Sequence, residues 1–167
     1  MAIQFEVENG TGKSDATSYV SVAEFEQYWL NKGVDYTGAS YPDTTIQAWL
    51  NIATEYIDEH YAFYGYATDY DTQALQWPRT GLRDNKGNLI DGDDIPTELK
   101  NAVFRMAREA ISGTVDLEAK RAEGVQSKRI GPVSITYKTG WKQDYQFVNR
   151  TIKHLVKNFA AMRTTSG

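Results

Sequence analysis

Between two stretches of helical periodicity the chain runs through Asp71–Asp94 without a helical pattern. This interruption does most to limit the possible folds. A connection this long inside a compact domain is either functional or carries structure of its own. Its centre reads Gln76-Trp77-Pro78-Arg79-Thr80-Gly81-Leu82, with Asp84, Gly87 and Ile90 following. Trp77 is a large apolar group for which a solvated linker has no use. Pro78 fixes its own φ and biases Trp77 towards an extended conformation. Gly81 permits a turn that a Cβ would resist. These residues predict an excursion built for shape. Trp77 anchors it to the body.

The flanking segments read as helices. Ser21 and Glu24 form a capping box, Val22, Phe25, Tyr28 and Trp29 recur at helical spacing, and Gly33 is a stop signal; together they predict a helix over about Val22–Lys32. Thr44 with Gln47 suggests a second box. Ile46, Trp49, Leu50, Ala53, Tyr56, Ile57 and Tyr61 then form one stripe over about Thr45–Tyr61. Pro96 suits the first position of a third helix, whose buried face is Leu99, Ala102, Val103, Met106, Ala107, Ala110 and Ile111, with Gly113 as its end. Val133, Ile135 and Tyr137 alternate with Ser134 and Thr136 as a strand does. Val125–Ile130 pairs with them across Gly131-Pro132, giving a hairpin over 125–138. Asp144 caps a last helix, Tyr145–Met162, with Val148, Ile152, Leu155, Val156 and Phe159 as its stripe. The expected fold is mainly α: one four-helix bundle-like domain over 1–167. It has an N-terminal arm over 1–20 that includes a short strand at Ala2–Val7, a long loop between helices two and three, a hairpin inserted before the last helix, and a polar tail over 163–167.

Composition narrows the function. Hydrophobic residues at 41% and charged residues at 24% are those of a globular chain. There is no Cys and there are two His, so thiolate nucleophiles, zinc–sulfur sites and multi-histidine metal sites are not expected. No apolar run approaches the roughly 20 residues of a membrane helix, and Met1–Glu6 lacks the pattern of a signal peptide; the expectation is a soluble chain made in a cytoplasm, with no membrane partner. The net charge of −4 divides unevenly. Met1–Ala119 carries 8 Lys and Arg against 20 Asp and Glu, a net of −12, and Lys120–Gly167 carries 10 against 2, a net of +8. Such a split suits docking on an acidic partner, head-to-tail packing of like subunits, or a basic segment folded on its own acidic body. Eleven Tyr and four Trp point to interfaces as much as to a core.

The chemistry on offer is thin. Gly12-Lys13-Ser14 resembles the end of a phosphate-binding loop, but Val7 stands where the first Gly belongs and the next helix starts only near Val22. Asp84, Asn88, Asp91, Asp93 and Asp94 invite a calcium reading, yet the twelfth position from Asp84 is Ile95, which cannot coordinate. Glu55, Asp58, Glu59 and His60 fall mostly off the apolar stripe of their helix, as a solvated face does. Ser127 and Ser134 have no histidine placed to activate them. No catalytic, cofactor-binding or metal residue is assigned, and the chain is not expected to be an enzyme. Lys128 and Arg129, with Tyr137 and Trp141 nearby, offer the basic and aromatic groups that single-stranded nucleic acid requires, in a chain whose overall charge is acidic.

Taken in order, Asn9–Gly12, Ser18-Tyr19-Val20-Ser21-Val22-Ala23-Glu24, Leu75–Gly81, Ile95-Pro96 and Val125–Ile135 resemble the head–tail connector proteins of tailed phages, also called adaptor or head-completion proteins. The resemblance spans nearly the whole chain. The same family carries the label DnaT-like, single-stranded-DNA-binding. The connector resemblance implies a structural virion protein at the neck of the particle: a homo-oligomeric ring, expected to be twelvefold, between the portal protein and a tail-side neck or tail-terminator protein. Genomic DNA would pass through its lumen without specific binding. Within that reading Arg150, Lys153, Lys157, Phe159 and Arg163 are the expected portal contacts. Arg79, Asp91, Asp93, Asp94, Lys128 and Arg129 are the expected contacts between subunits. Trp77, Pro78, Gly81 and Pro96 are structural anchors. The alternative is a sequence-independent single-stranded-DNA-binding protein.

Overall fold

The computed structural model describes residues 3–38, 40–84, 86–111, 127–130, 133–136 and 145–157, the two strands within 127–136 by their backbone. The protein is mainly α, with four helices among these residues: α1 Val22–Leu30, α2 Asp43–His60, α3 Thr97–Ile111 and α4 Gln146–Ile152. Helix α3 packs against both α2 and α4, and α2 packs against α1. Strands β3 (Ser127–Ile130) and β4 (Val133–Thr136) form the antiparallel hairpin, with Ser127 opposite Thr136 and Ile130 opposite Val133. Gly113, Asp144, Phe159 and Arg163, the Gly131-Pro132 turn and the polar tail lie outside the described residues.

Local chemistry explains most element boundaries. Ser21 accepts the Glu24 amide and the Glu24 side chain accepts the Ser21 amide, a complete capping box. Helix α1 stops at Leu30, and Gly33 beyond it takes φ +77°. Thr44 and Gln47 form no box: α2 starts earlier, at Asp43 behind Pro42, which offers no side-chain cap, and the acidic Asp43 favours the helix dipole there. Pro96 precedes α3 and its carbonyl accepts the Lys100 amide. The buried face of α3 is Leu99, Ala102, Val103, Phe104, Met106 and Ala107; Phe104 takes a place in the core and Ala110 and Ile111 are only half-buried. No strand forms among the described residues of Ala2–Val7. Instead Val7 makes an isolated parallel bridge with Ser18, flanked by backbone hydrogen bonds from Glu8 to Ser18 and from Thr17 to Glu6.

The last helix is the main correction. Its stripe predicts helix from Tyr145 to Met162, but the helix ends at Ile152 and a turn over Lys153–Leu155 leads to an isolated bridge at Val156; residues 158–162 lie outside the described ones. Val156 bridges Phe63, the Lys157 amide donates to the Ala62 carbonyl, and Leu155 accepts from the Tyr64 amide. Leu155 and Val156 are buried through this pairing rather than on a helical stripe. This turn and bridge against the segment after α2 bury the same apolar residues that a helix would have used.

Candidate functional site

The segment joining α2 to α3 has its own architecture. Tyr66–Ala67 (β1) pairs antiparallel with Arg79–Thr80 (β2), and Arg83 bridges Leu89. The Trp77–Pro78 peptide bond is cis. Trp77 is fully buried and meets Phe63 edge-on, ring centroids 5.7 Å apart. Pro78 and Pro96 are buried too, whereas Gly81 is exposed at φ +82°. Gly65 at φ +69° sits where a Cβ would lie 2.3 Å from the Thr80 carbonyl oxygen, so only glycine fits between the strands.

Arg79 is corrected from a surface role. It is 8% exposed, and its Nε donates to the Tyr64 carbonyl at 2.8 Å. Its Nη1 donates to the Gln76 carbonyl at 3.0 Å and its Nη2 to the Gly65 carbonyl at 2.9 Å. The planar fork stitches the ends of the ribbon together, which leaves little of the side chain for the subunit contact expected of it. Asp58 is likewise not part of a solvated face. Its Oδ1 accepts from the Tyr19 hydroxyl at 2.6 Å and its Oδ2 from the Gln76 amide at 2.9 Å, while the Trp77 amide donates to the Tyr19 hydroxyl. Burial raises the Asp58 carboxyl to about 6, against the lowering pull of these hydrogen bonds and of Arg79. Burial, with Asp58 beside it, also lifts the Tyr19 hydroxyl well above its ordinary value. Arm, α2 and loop are thereby joined at one buried point. Sequence spacing had no means of finding it, since its members stand 39 and 58 residues apart.

The phosphate-loop lookalike has a structural answer. Glu8 is 3% exposed, and its carboxylate accepts the amides of Gly10, Gly12 and Lys13 at 2.8–3.0 Å. A nest of this kind binds anions, and here the anion is the chain's own side chain. Asp84 is similarly engaged, accepting from the Asn88 side chain and from the amides of Asn88 and Lys86, and these hydrogen bonds hold its carboxyl below the usual range. No group of side chains suited to a metal ion occurs among the described residues.

The anchored segment displays its remaining residues outward. Tyr66 is 79% and Tyr70 87% exposed, with Leu89 also exposed. Asp91, Asp93 and Asp94 are exposed on a turn closed by the Asp94 amide on the Asp91 carbonyl. A groove of about 480 Å³ runs beside the ribbon, lined by Tyr64, Tyr66, Leu82, Arg83, His154 and Lys157 among others. His154 lies 3.9 Å from Glu98. Of the expected portal contacts, Lys157 lines this groove, and Arg150 and Lys153 are exposed at the end of α4. Lys128 and Arg129 lie on β3, apart in sequence from every other site residue, and only their backbone is described. The groove's Tyr64, Arg83 and His154 carried no sequence signal, because three separate segments bring them together.

No helix among the described residues is long and apolar enough to cross a membrane. Comparison with the curated proteins finds no match, and comparison with the solved structures finds none. One family profile does match, over residues 3–166, and is described as "Putative DnaT-like ssDNA binding protein". That match covers all but the outermost residues, so the chain belongs to this DnaT-like family.

Proposed function

We propose that this protein is a structural adaptor of a phage particle, whose copies form a ring at the neck between the portal protein and the tail-side proteins. The supporting observation is the segment between α2 and α3. Its interior is fixed by Trp77, Arg79 and Asp58, and its exterior presents Tyr66 and Tyr70 beside the acidic turn. Rigid, exposed tyrosines are favoured at protein interfaces because they bury area with little loss of side-chain freedom. The body around them is acidic: residues 3–111 hold 8 Lys and Arg against 18 Asp and Glu. A surface of that sign around a lumen lets DNA slide without adhering, since phosphate contacts dominate DNA affinity. The resemblance of the ordered motifs to connector proteins supports the same reading. The test is to mix the purified protein with its portal and examine the product by electron microscopy. A ring of this protein on the portal is the expected result. A portal left bare at saturating protein removes the reading.

The family description favours a second reading, single-stranded DNA binding, and speaks for it more directly than for the first. The groove beside the ribbon fits that chemistry, with Tyr64 and Tyr66 as stacking faces and Arg83 and Lys157 as phosphate partners. Fluorescence anisotropy with an oligothymidylate at physiological salt separates the two. Micromolar binding that Tyr64→Ala and Arg83→Ala both weaken puts DNA binding in place of the adaptor reading.

A further inference from the structure

A second groove lies towards the opposite end of α3 from the acidic turn. Trp29, Lys32, Arg105, Arg108, Glu109 and Phe147 line about 290 Å³ of open space there. Three of the eight Lys and Arg between residues 3 and 111 meet in it. Aromatic side chains hold them in place: the Arg108 guanidinium is 4.6 Å from the centre of the Trp29 ring, the Lys32 ammonium 4.1 Å from that of Tyr28, and Arg105 Nε donates to the Tyr28 hydroxyl at 3.1 Å. None of the three forms an ion pair among the described residues. Asp91, Asp93 and Asp94 form none either, although their turn is rigid. The Thr68 hydroxyl donates to the Gly92 carbonyl, and Gly10 packs so closely on the Asp93 carbonyl that a Cβ there would approach it to 1.8 Å.

We propose that the acidic turn Asp91–Asp94 of one copy docks into the Lys32–Arg105–Arg108 groove of the next. The inference rests on the adaptor reading for the meeting of copies, and adds which surfaces meet. The complementarity is one of charge and of preparation. Cations held against aromatic faces, and carboxylates fixed on a tight turn, lose little freedom when they pair. Glu109 lowers the groove's positive charge, which suits a few carboxylates better than a dense run of phosphates. Turn and groove are different patches towards opposite ends of α3, so the contact is heterologous and each bound copy offers a free site to the next.

The lack of natural Cys makes the test direct. Asp94→Cys and Glu109→Cys in one chain leave all three cations in place. Along α3, Thr97 to Glu109 alone spans about 18 Å, beyond the roughly 7 Å that a disulfide bridges, so any disulfide joins two copies. The expected result, with free protein and with protein seated on portal, is a ladder of linked species on a non-reducing gel. Adding Lys32→Glu and Arg105→Glu is expected to cut its yield at least tenfold, and mixing that chain with one carrying Asp91→Lys and Asp93→Lys to restore it. A ring on the portal without the ladder, or a ladder indifferent to the charge reversals, overturns the groove assignment and leaves the adaptor reading standing. Neither ring nor ladder removes both.

Discussion

Asp58 is the residue on which the arm, α2 and the loop converge, and its titration follows from that position. Its carboxyl is raised to about 6 in the folded protein, chiefly by burial, while an unfolded Asp titrates near 3.9. Between those values the folded state binds the extra proton, so this residue's contribution to stability is present at low pH and lost as pH rises through about 6. Asp58→Asn keeps an acceptor and removes the ionisation. Urea titrations at about pH 4.5 and about pH 7.5 are expected to show wild type losing about 2 kcal/mol relative to the variant over that interval; parallel curves would rule out the buried titration. Arg79 sets a second expectation. Replacing it with Ala leaves the Tyr64, Gly65 and Gln76 carbonyls without their donor, at about 3 kcal/mol of stability in chemical denaturation. Arg79→Lys recovers little, because an ammonium cannot reproduce the fork. A stable Arg79→Ala monomer would return the residue to the surface role that its sequence context suggested.

Elements differ in how far the sequence discloses them. Helix α1 is written in its capping box and α3 in its stripe, because both rest on neighbours three or four positions away. The β1–β2 ribbon is two residues per strand and has no period to read. What makes it possible is Gly65 and the Arg79 fork, a glycine of no special context and a cation that composition assigns to the surface. The end of α4 was misread because Leu155 and Val156 serve a helical stripe and a turn with a bridge equally well. Trp77 was legible as an anchor, but its partners Asp58 and Tyr19 were not. The arm offers a test of element packing. Gly10→Ala meets the Asp93 carbonyl and stands at φ +99°, whereas Gly33→Ala at φ +77° meets open space. The Gly33 change is expected to lower stability by about 1 kcal/mol, the local strain alone. The Gly10 change is expected to lower it by at least twice as much, with faster amide exchange at Gly12 and Lys13 as the arm lifts; equal losses at the two positions would show that the arm–turn contact is weak.

At the scale of the whole molecule, the residues expected to contact a portal share their segment with the core. Arg150 and Lys153 are exposed, but Val148, Ile152, Leu155 and Val156 beside them are buried. Deletion of residues 151–167 is therefore expected to unfold the domain rather than simply undock it, with loss of a cooperative thermal transition. A truncated chain that melts normally would show that these contacts are dispensable. Charge substitutions at Arg150 and Lys153 separate docking from folding, because neither side chain is in the core.

The knot of contacts around Tyr19 also sets the order of events as the chain is made. Tyr19 leaves the ribosome before its partners, so the hydrogen bonds that hold it wait for Asp58 and Trp77. The segment from Tyr61 to Tyr64 waits longer still, for Leu155 and Val156 and for Asn149, which accepts from the Tyr61 hydroxyl. Contacts so far apart in sequence slow folding, because the intervening chain must be closed before they form. Nascent chains that have not yet reached Leu155–Lys157 keep an open flank beside Phe63. The fold is thus complete only once residues 145–157 have joined it, and the loop is held as a rigid surface only from then on.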